Sequence, residues 1–538
     1  MRGAERAWRP ARDLAAGSPA TEMIPYFNTS GPCIPGQHHM LPPERRLVRA
    51  MELVEQGRFF TLRAGRQTGK TTSARWMVDH YNASGRYAAL WVDIQAAREQ
   101  PDPLRAFTAV LNKLDQWVGL DLPRVAPSPE RSRWLEDPLT AVQRYLGDLA
   151  ARVDRPLVVL FDEADGLVGE AMVSFLTQLR DGYIARDRSP FPHSVALIGM
   201  REVRDYALAD QDRWAVSWLG TTSPFNITAE TQTLAPFSAD EVAELLEQHT
   251  AATGQRFEPE AAAKIHELSQ GHPWLVNALA DLMVREVPDR SVALTAAHVD
   301  AARETIILER RTHIDSLVAR LREERVRRII GPMLIGEQTA GDVLDDDFAY
   351  VVGLGLIALK GGRYEVANPI YREVIPRALT YLSQVQIAQE PAWYIGADGG
   401  LEMGKLLRAF QTFWREDGHL AAEGFHYREA GPHLMLMAFL QRVINAGGRV
   451  EREYGLGRGR LDLIIEWQKE RHVVEVKLRR DTTSEARAAE QLAAYLDGLG
   501  LDEGYLVLFD LRQGPSWDER LYERELEVAG KRVVVLGC

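Results

Sequence analysis

The sequence predicts a multidomain α/β chain: a parallel sheet covered on both faces, then a helical region, then a second α/β domain at the C-terminus. Three observations carry this. Short continuous apolar runs alternate with helical stretches between residues 58 and 199. The pattern turns all-helical at Ser238. A separate strand-and-helix pattern follows residue 404. Continuous apolar strands separated by helices are the signature of a parallel sheet buried on both sides. The chain has 538 residues, room for three or four domains at roughly 100–200 residues each. With 46% hydrophobic and 26% charged residues it has the composition of a chain that buries several cores.

Residues 1–24 carry Arg and Ala without an apolar run, and are expected to be a disordered leader rather than a signal peptide. Residues 22–45 are rich in Pro, Gly and His, a loop with turn chemistry. Apolar spacing predicts a helix over 44–56, a strand over 58–63 and a helix over 71–80. Strands follow at 87–94, 156–161 and 194–199, with helices at 104–117 and 138–152 between them. Ser238 and Glu241 form a capping-box pattern that starts a helical region reaching about residue 325. A strand pair around Lys360-Gly361-Gly362-Arg363 lies within residues 326–380. Residues 384–404 read as a linker. No internal repeat or low-complexity tract is visible.

Two cysteines, Cys33 and Cys538, stand at opposite ends with no CxxC pair, so neither a disulfide framework nor a zinc site is indicated. No apolar run is long enough to span a membrane. These features predict a cytoplasmic protein without a membrane partner. The net charge of −12 argues against a protein that coats duplex DNA.

Residues 64–71 read Ala64-Gly65-Arg66-Gln67-Thr68-Gly69-Lys70-Thr71, followed by Thr72. This is the G-x-x-x-x-G-K-[ST] turn with Ala64 at its first position, placed between an expected strand and an expected helix. Such a turn aims backbone N–H groups at a β-phosphate at a helix N-terminus. Gly69 permits close approach, Lys70 supplies a point charge for the β- and γ-phosphates, and the Thr71 hydroxyl is a Mg2+ ligand. The strand Leu157–Phe161 runs into Asp162-Glu163, the form of a Walker B strand end. Asp162 is the expected Mg2+ residue and Glu163 the expected general base.

Together these motifs resemble the AAA-like ATPases of the STAND type, over about residues 25–385. The resemblance implies ATP and Mg2+ as cofactors. It also implies a polar sensor at Arg201, a GxP lid motif at Gly271-His272-Pro273, and a winged helix whose wing is Gly361-Gly362. It divides this part of the chain into an ATPase core at 25–235, a lid at 236–325 and a winged helix at 326–383. Arg180, Arg186 and Arg188 are the candidates for an arginine finger. ATPases of this kind assemble, but the sequence fixes no oligomer.

In the C-terminal region two strands are expected, 461–467 and 472–478, joined as a hairpin. Asp462 begins the first. Glu475 and Lys477 are two apart on the second, hence on one face. A carboxylate from each strand with a lysine beside them is what metal-assisted phosphodiester hydrolysis uses. Residues 441–480 hold ten basic against six acidic residues, a local net of +4. The Arg458-Gly459-Arg460 turn suits a phosphate backbone. The set Asp462, Glu475-Val476-Lys477 and the helix pair Gln491 and Tyr495 resembles PD-(D/E)XK nucleases of the RecB-like type over residues 405–538. Leu461 replaces the usual Pro. The resemblance implies a Mg2+ or Mn2+ site, with a further acid at Glu423, or second at Glu429.

The expected function is an ATPase that controls a nuclease acting on DNA rather than RNA, in a setting such as defence against foreign DNA, released by a protein trigger. The alternative is an ATP-dependent regulator or scaffold whose nuclease-like domain is inactive and whose winged helix binds DNA or a protein. Asp345, Asp346 and Asp347 head that winged helix and weaken a DNA-reading role.

Overall fold

A computed structural model of the chain describes residues 24–199, 230–308, 320–334, 346–379, 394–418, 432–440, 448–479, 484–510 and 512–538, apart from isolated positions inside these spans. The chain divides into two compact units. The first holds residues up to Arg311 with Gly341–Ala358 and Ala367–Ile370. The second holds Thr312–Ala340, Leu359–Val366 and Tyr371–Cys538.

In the first unit, helix α1 (Glu44–Glu55) leads into β1 (Phe59–Arg63), α2 (Lys70–Ser84) and β2 (Ala88–Asp93). Helices α3 (Pro103–Asp121) and α4 (Pro138–Arg152) precede β3 (Leu157–Asp162), and α5 (Gly169–Ala185) precedes β4 (Ser194–Gly199). A short edge strand, β5 (Thr231–Thr233), completes a sheet of order β2-β3-β4-β1-β5. All four neighbouring pairs in it are parallel. The strands alternate their side chains between two cores. Leu90, Val92, Val159 and Phe161 pack with α3, α4 and α5, while Trp91, Leu160 and Ile198 pack with α1 and α2. Strands buried on both faces explain why they appear in the sequence as unbroken apolar runs.

The segment expected as the lid contains α6 (Ala239–Thr253), α7 (Pro259–Ser269), α8 (Pro273–Glu286) and α9 (Ala296–Leu308). The capping box is formed: Glu241 N donates to Ser238 Oγ at 3.1 Å and Ser238 N to the Glu241 carboxylate at 2.9 Å. Proline occupies the first turn of α3, α4, α7 and α8, where its missing N–H costs nothing. Beyond the lid come α10 (Glu324–Leu334), α11 (Asp346–Gly353), the two-stranded sheet of β6 (Ile357–Lys360) and β7 (Arg363–Val366), and α12 (Pro369–Leu379). Gly361 and Gly362 turn the ribbon with φ of 55° and 82°.

The second unit contains α13 (Met403–Phe413), then β8 (Gly448–Leu456), β9 (Gly459–Trp467) and β10 (Glu470–Arg479), α14 (Ser484–Leu499), β11 (Glu503–Asp510), β12 (Tyr522–Val528) and β13 (Lys531–Gly537). Its sheet runs β12-β13-β11-β10-β9-β8. Strands β8, β9 and β10 form an antiparallel meander, α14 crosses over, and β11 lies parallel to β10. One face packs on α13 through Leu463, Ile465, Val474 and Val476. The other packs on α14 through Ile464, Val473, Leu506 and Leu508. Residues 394–404, expected as the end of a linker, belong to this core: Tyr394, Leu401 and Met403 are buried in it, and Trp467 Nε1 donates to Gly399 O at 3.0 Å. No described helix is long and apolar enough to cross a membrane.

Candidate functional site

The turn after β1 and the end of β3 lie at the same edge of the first sheet because β4 stands between them, paired to both. Gln67 and Gly69 hold left-handed conformations, φ 55° and 89°, which curl the turn into α2. Successive backbone N–H groups in such a curl form an anion-binding concavity at the helix N-terminus. The Lys70 side chain folds back under the turn, and Nζ donates to Ala64 O and Gly65 O, each at 2.8 Å. Burial lowers the Lys70 pKa, while Asp165, Asp162 and Glu163 act in the opposite sense. Thr68 Oγ1 caps Gly65 O at 2.8 Å.

Thr71 Oγ1 donates to Asp162 Oδ2 at 2.8 Å, so the two hard oxygens expected to serve a divalent ion are in contact. Asp162 Oδ1 accepts from Glu163 N at 3.0 Å, and Oδ2 also accepts from Trp91 Nε1 at 3.3 Å. Burial raises the pKa of both acids above the ordinary carboxylate range. Glu163 sits at φ 57°, a conformation that an L-residue keeps only where its surroundings impose it. Its carboxylate pairs with Arg98 at 2.7 Å, and that charge opposes the upward shift. The residues present fit a magnesium–nucleotide complex. A phosphate-sized curl, a buried lysine and a paired hydroxyl and carboxylate stand together.

The segment Gly271-His272-Pro273, between α7 and α8, reaches this turn. Gly271 has φ 70°, and a Cβ there would fall 1.9 Å from Phe237 O. His272 Nε2 donates to Arg66 O at 3.2 Å, and burial lowers its pKa to about 4, so the ring is neutral near pH 7. Pro273 starts α8. The loop before α1 crosses the same region. Cys33 N donates to Thr72 Oγ1 at 3.0 Å, and Trp274 Nε1 donates to Thr29 O at 2.8 Å. Thr72, expected at the nucleotide, thus holds this loop.

Arg201 lies outside the described residues. Of the arginine-finger candidates, Arg186 donates to Gly57 O at 2.8 Å and covers the Tyr183 ring at 3.8 Å, a structural engagement. Arg188 is exposed beside Asp187. Sequence reasoning missed Trp91, Arg98 and His272's contact with Arg66. None has a local spacing signal, since each depends on which strand or helix lies beside the turn.

In the second unit Glu475 and Lys477 share the α14 face of β10, as their alternation with Val474 and Val476 requires. Glu475 is fully buried and its carboxylate meets Lys477 Nζ at 2.6 Å. The antiparallel register runs from Glu470↔Trp467 to Val474↔Leu463, and Asp462 precedes Leu463 on β9. The side chain of Asp462, and all of Glu423, Glu429 and Arg458, lie outside what is described. Gln491 and Tyr495 are on α14, one turn apart, and Gln491 Nε2 donates to Tyr495 Oη at 2.8 Å. Among the described residues no group of three or more His, Cys, Asp or Glu is gathered as a metal cage.

Comparison with known families adds two matches. The AAA-like domain family matches residues 42–376, and a domain of unknown function (DUF8371) matches residues 407–513. No curated protein matches. Among solved structures, the Walker-type ATPase PABY2304 of Pyrococcus abyssi is similar at 16% identity and TM-score 0.46, over 65% of this chain and 99% of that one. Cdc6p from Pyrobaculum aerophilum is similar at 13% identity and TM-score 0.35, over 64% and 95%. The Thermotoga maritima RuvB Holliday junction branch migration motor is similar at 14% identity and TM-score 0.31, over 62% and 93%.

Proposed function

The chain belongs to the AAA-like domain family, and from that premise we propose that its ATPase unit controls a metal-dependent nuclease site in the C-terminal unit. On the ATPase side, Lys70 moves from its two carbonyl partners to the β- and γ-phosphates. Thr71 and Asp162 would hold the divalent ion, which would supply neutralisation of phosphate charge, and Glu163 would take the proton of the attacking water. Arg98 pairs with Glu163 and opposes the rise in pKa that burial imposes on it.

The observation that carries the nuclease half is the pairing of a fully buried Glu475 with Lys477 on the face that α14 covers. Glu475 and Asp462 would hold Mg2+ or Mn2+, which supplies an activated water. Lys477 is placed to stabilise the developing phosphorane charge. Gln491 and Tyr495 border the same face. DNA is the proposed substrate, with defence against foreign DNA as the setting and a protein trigger or self-assembly as the release.

The test is incubation of the full chain with supercoiled plasmid or single-stranded DNA, with Mg2+ or Mn2+ and ATP. Lys477→Ala abolishes cutting and leaves ATP hydrolysis within about twofold. Cutting retained in that variant removes the assigned site. Absence of cutting in the parent under all these conditions favours a regulator with an inactive nuclease-like domain.

A further inference from the structure

We propose that Trp91 is a positioning residue for the Walker B carboxylate. Its indole N–H fixes Asp162 in the orientation that receives the magnesium–nucleotide complex. The proposal rests on the ATPase half of the reading above and is independent of the nuclease half.

Trp91 lies on β2, beside β3, in register with Leu160. Strand alternation sends its side chain to the α2 face, with Trp76, Met77 and Ala89. There Nε1 donates to Asp162 Oδ2 at 3.3 Å, the oxygen that also accepts from Thr71. An indole N–H is a donor only. It cannot ligate a cation or accept a proton, so all it offers the carboxylate is orientation and support for the negative charge. The two side-chain donors to Asp162 differ in origin. Thr71 belongs to the helix that begins in the phosphate turn, whereas Trp91 belongs to the sheet.

The indole is itself held firmly. Trp117 meets it edge-on, with ring centroids 4.2 Å apart at 82°. Trp91 N donates to Asp121 Oδ2 at 3.1 Å. The Arg75 guanidinium lies 4.7 Å over the Trp91 ring and 5.5 Å from that of Trp117. Arg75 Nε is buried without an acceptor among the described residues, so the indole faces provide much of what stabilises this cation. Arg75 is one helical turn after Thr71 on α2. One helix face thus presents the metal-binding hydroxyl and clamps the indole that braces its partner carboxylate. Two χ angles held between the Trp117 ring and the Arg75 guanidinium leave the N–H little freedom to follow a misplaced Asp162.

The test compares ATP binding by the full chain in EDTA and in Mg2+, using calorimetry, with a thermal melt of each variant alongside. Trp91→Phe keeps an aromatic, though smaller, ring and removes the donor. Metal-free ATP affinity stays within about twofold of the parent, while Mg2+-dependent tightening falls by about tenfold, the size of one hydrogen bond to a charged group. Trp91→His restores a ring N–H and recovers part of the tightening. In an Asp162→Asn background Trp91→Phe has no further effect on metal dependence. Equal losses with and without Mg2+, or an unchanged Mg2+ dependence in Trp91→Phe, overturn the proposal and leave Trp91 a packing residue.

Discussion

Asp162 and Glu163 are adjacent, and burial pushes the carboxyl of each above its ordinary range. For such a group the stability contribution is present below its unfolded pKa of about 4 and is lost as pH rises through the higher folded value. Toward neutral pH that contribution is lost, and the raised Asp162 pKa costs stability there, which function requires. Asp162→Asn is expected to abolish ATP hydrolysis while raising the melting temperature of the nucleotide-free chain. A gain of about 1 kcal/mol would be roughly 2–4 °C. An unchanged or lower melting temperature would contradict this. Hydrolysis should lose its base as pH falls through the raised Glu163 pKa. Because Arg98 opposes that rise, Arg98→Ala should move the acid limb of the pH–rate profile to higher pH. A limb that stays in place or moves down excludes the role given to Arg98. Lys70, Thr71, Asp162 and Glu163 were legible in the sequence because their spacing within one turn and one strand end is the motif. Trp91, Arg75 and Arg98 were not. Their relation to the two acids exists only once β2 lies beside β3.

The elements themselves were largely legible, for identifiable reasons. Pro103, Pro138 and Pro273 mark helix starts, and Ser238 with Glu241 writes its cap into the sequence. The four long strands of the first sheet are apolar runs since both faces are buried. Strand β5 was not foreseen: Thr231–Thr233 has no apolar signal and owes its form to pairing with β1 at the sheet edge. Nor was residues 394–404 packing against β9 and β10, because Gly and Asp there look like a linker until Tyr394 and Leu401 are buried. The lid's grip on the phosphate turn depends on Gly271. Gly271→Ala puts a methyl group on Phe237 O at a positive φ. It should lower stability by about 1–3 kcal/mol and weaken ATP binding. Denaturant titration with and without ATP measures both; wild-type values for each would show that the lid does not bear on the turn.

At the scale of the molecule, the order of α/β, helical and α/β regions was readable from apolar periodicity alone. What it could not supply was the partition of the segment between the lid and residue 404, where short elements are shared between two compact units. The meander β8-β9-β10, the crossover α14 and the parallel β11 place the acid–lysine pair of β10 beneath the helix that carries Gln491 and Tyr495. The first unit carries the phosphate-binding turn with Lys70, Thr71 and Asp162, and the second the buried Glu475 paired with Lys477. The central claim is that the first governs the second. The most direct measurement is the rate of plasmid cutting with Mg2+ and saturating ATP in the parent chain and in Lys70→Ala. The account predicts that Lys70→Ala loses ATP binding and cuts at least about tenfold more slowly, although Glu475 and Lys477 are untouched. Cutting at the parent rate in Lys70→Ala, or in the parent without ATP, would contradict it.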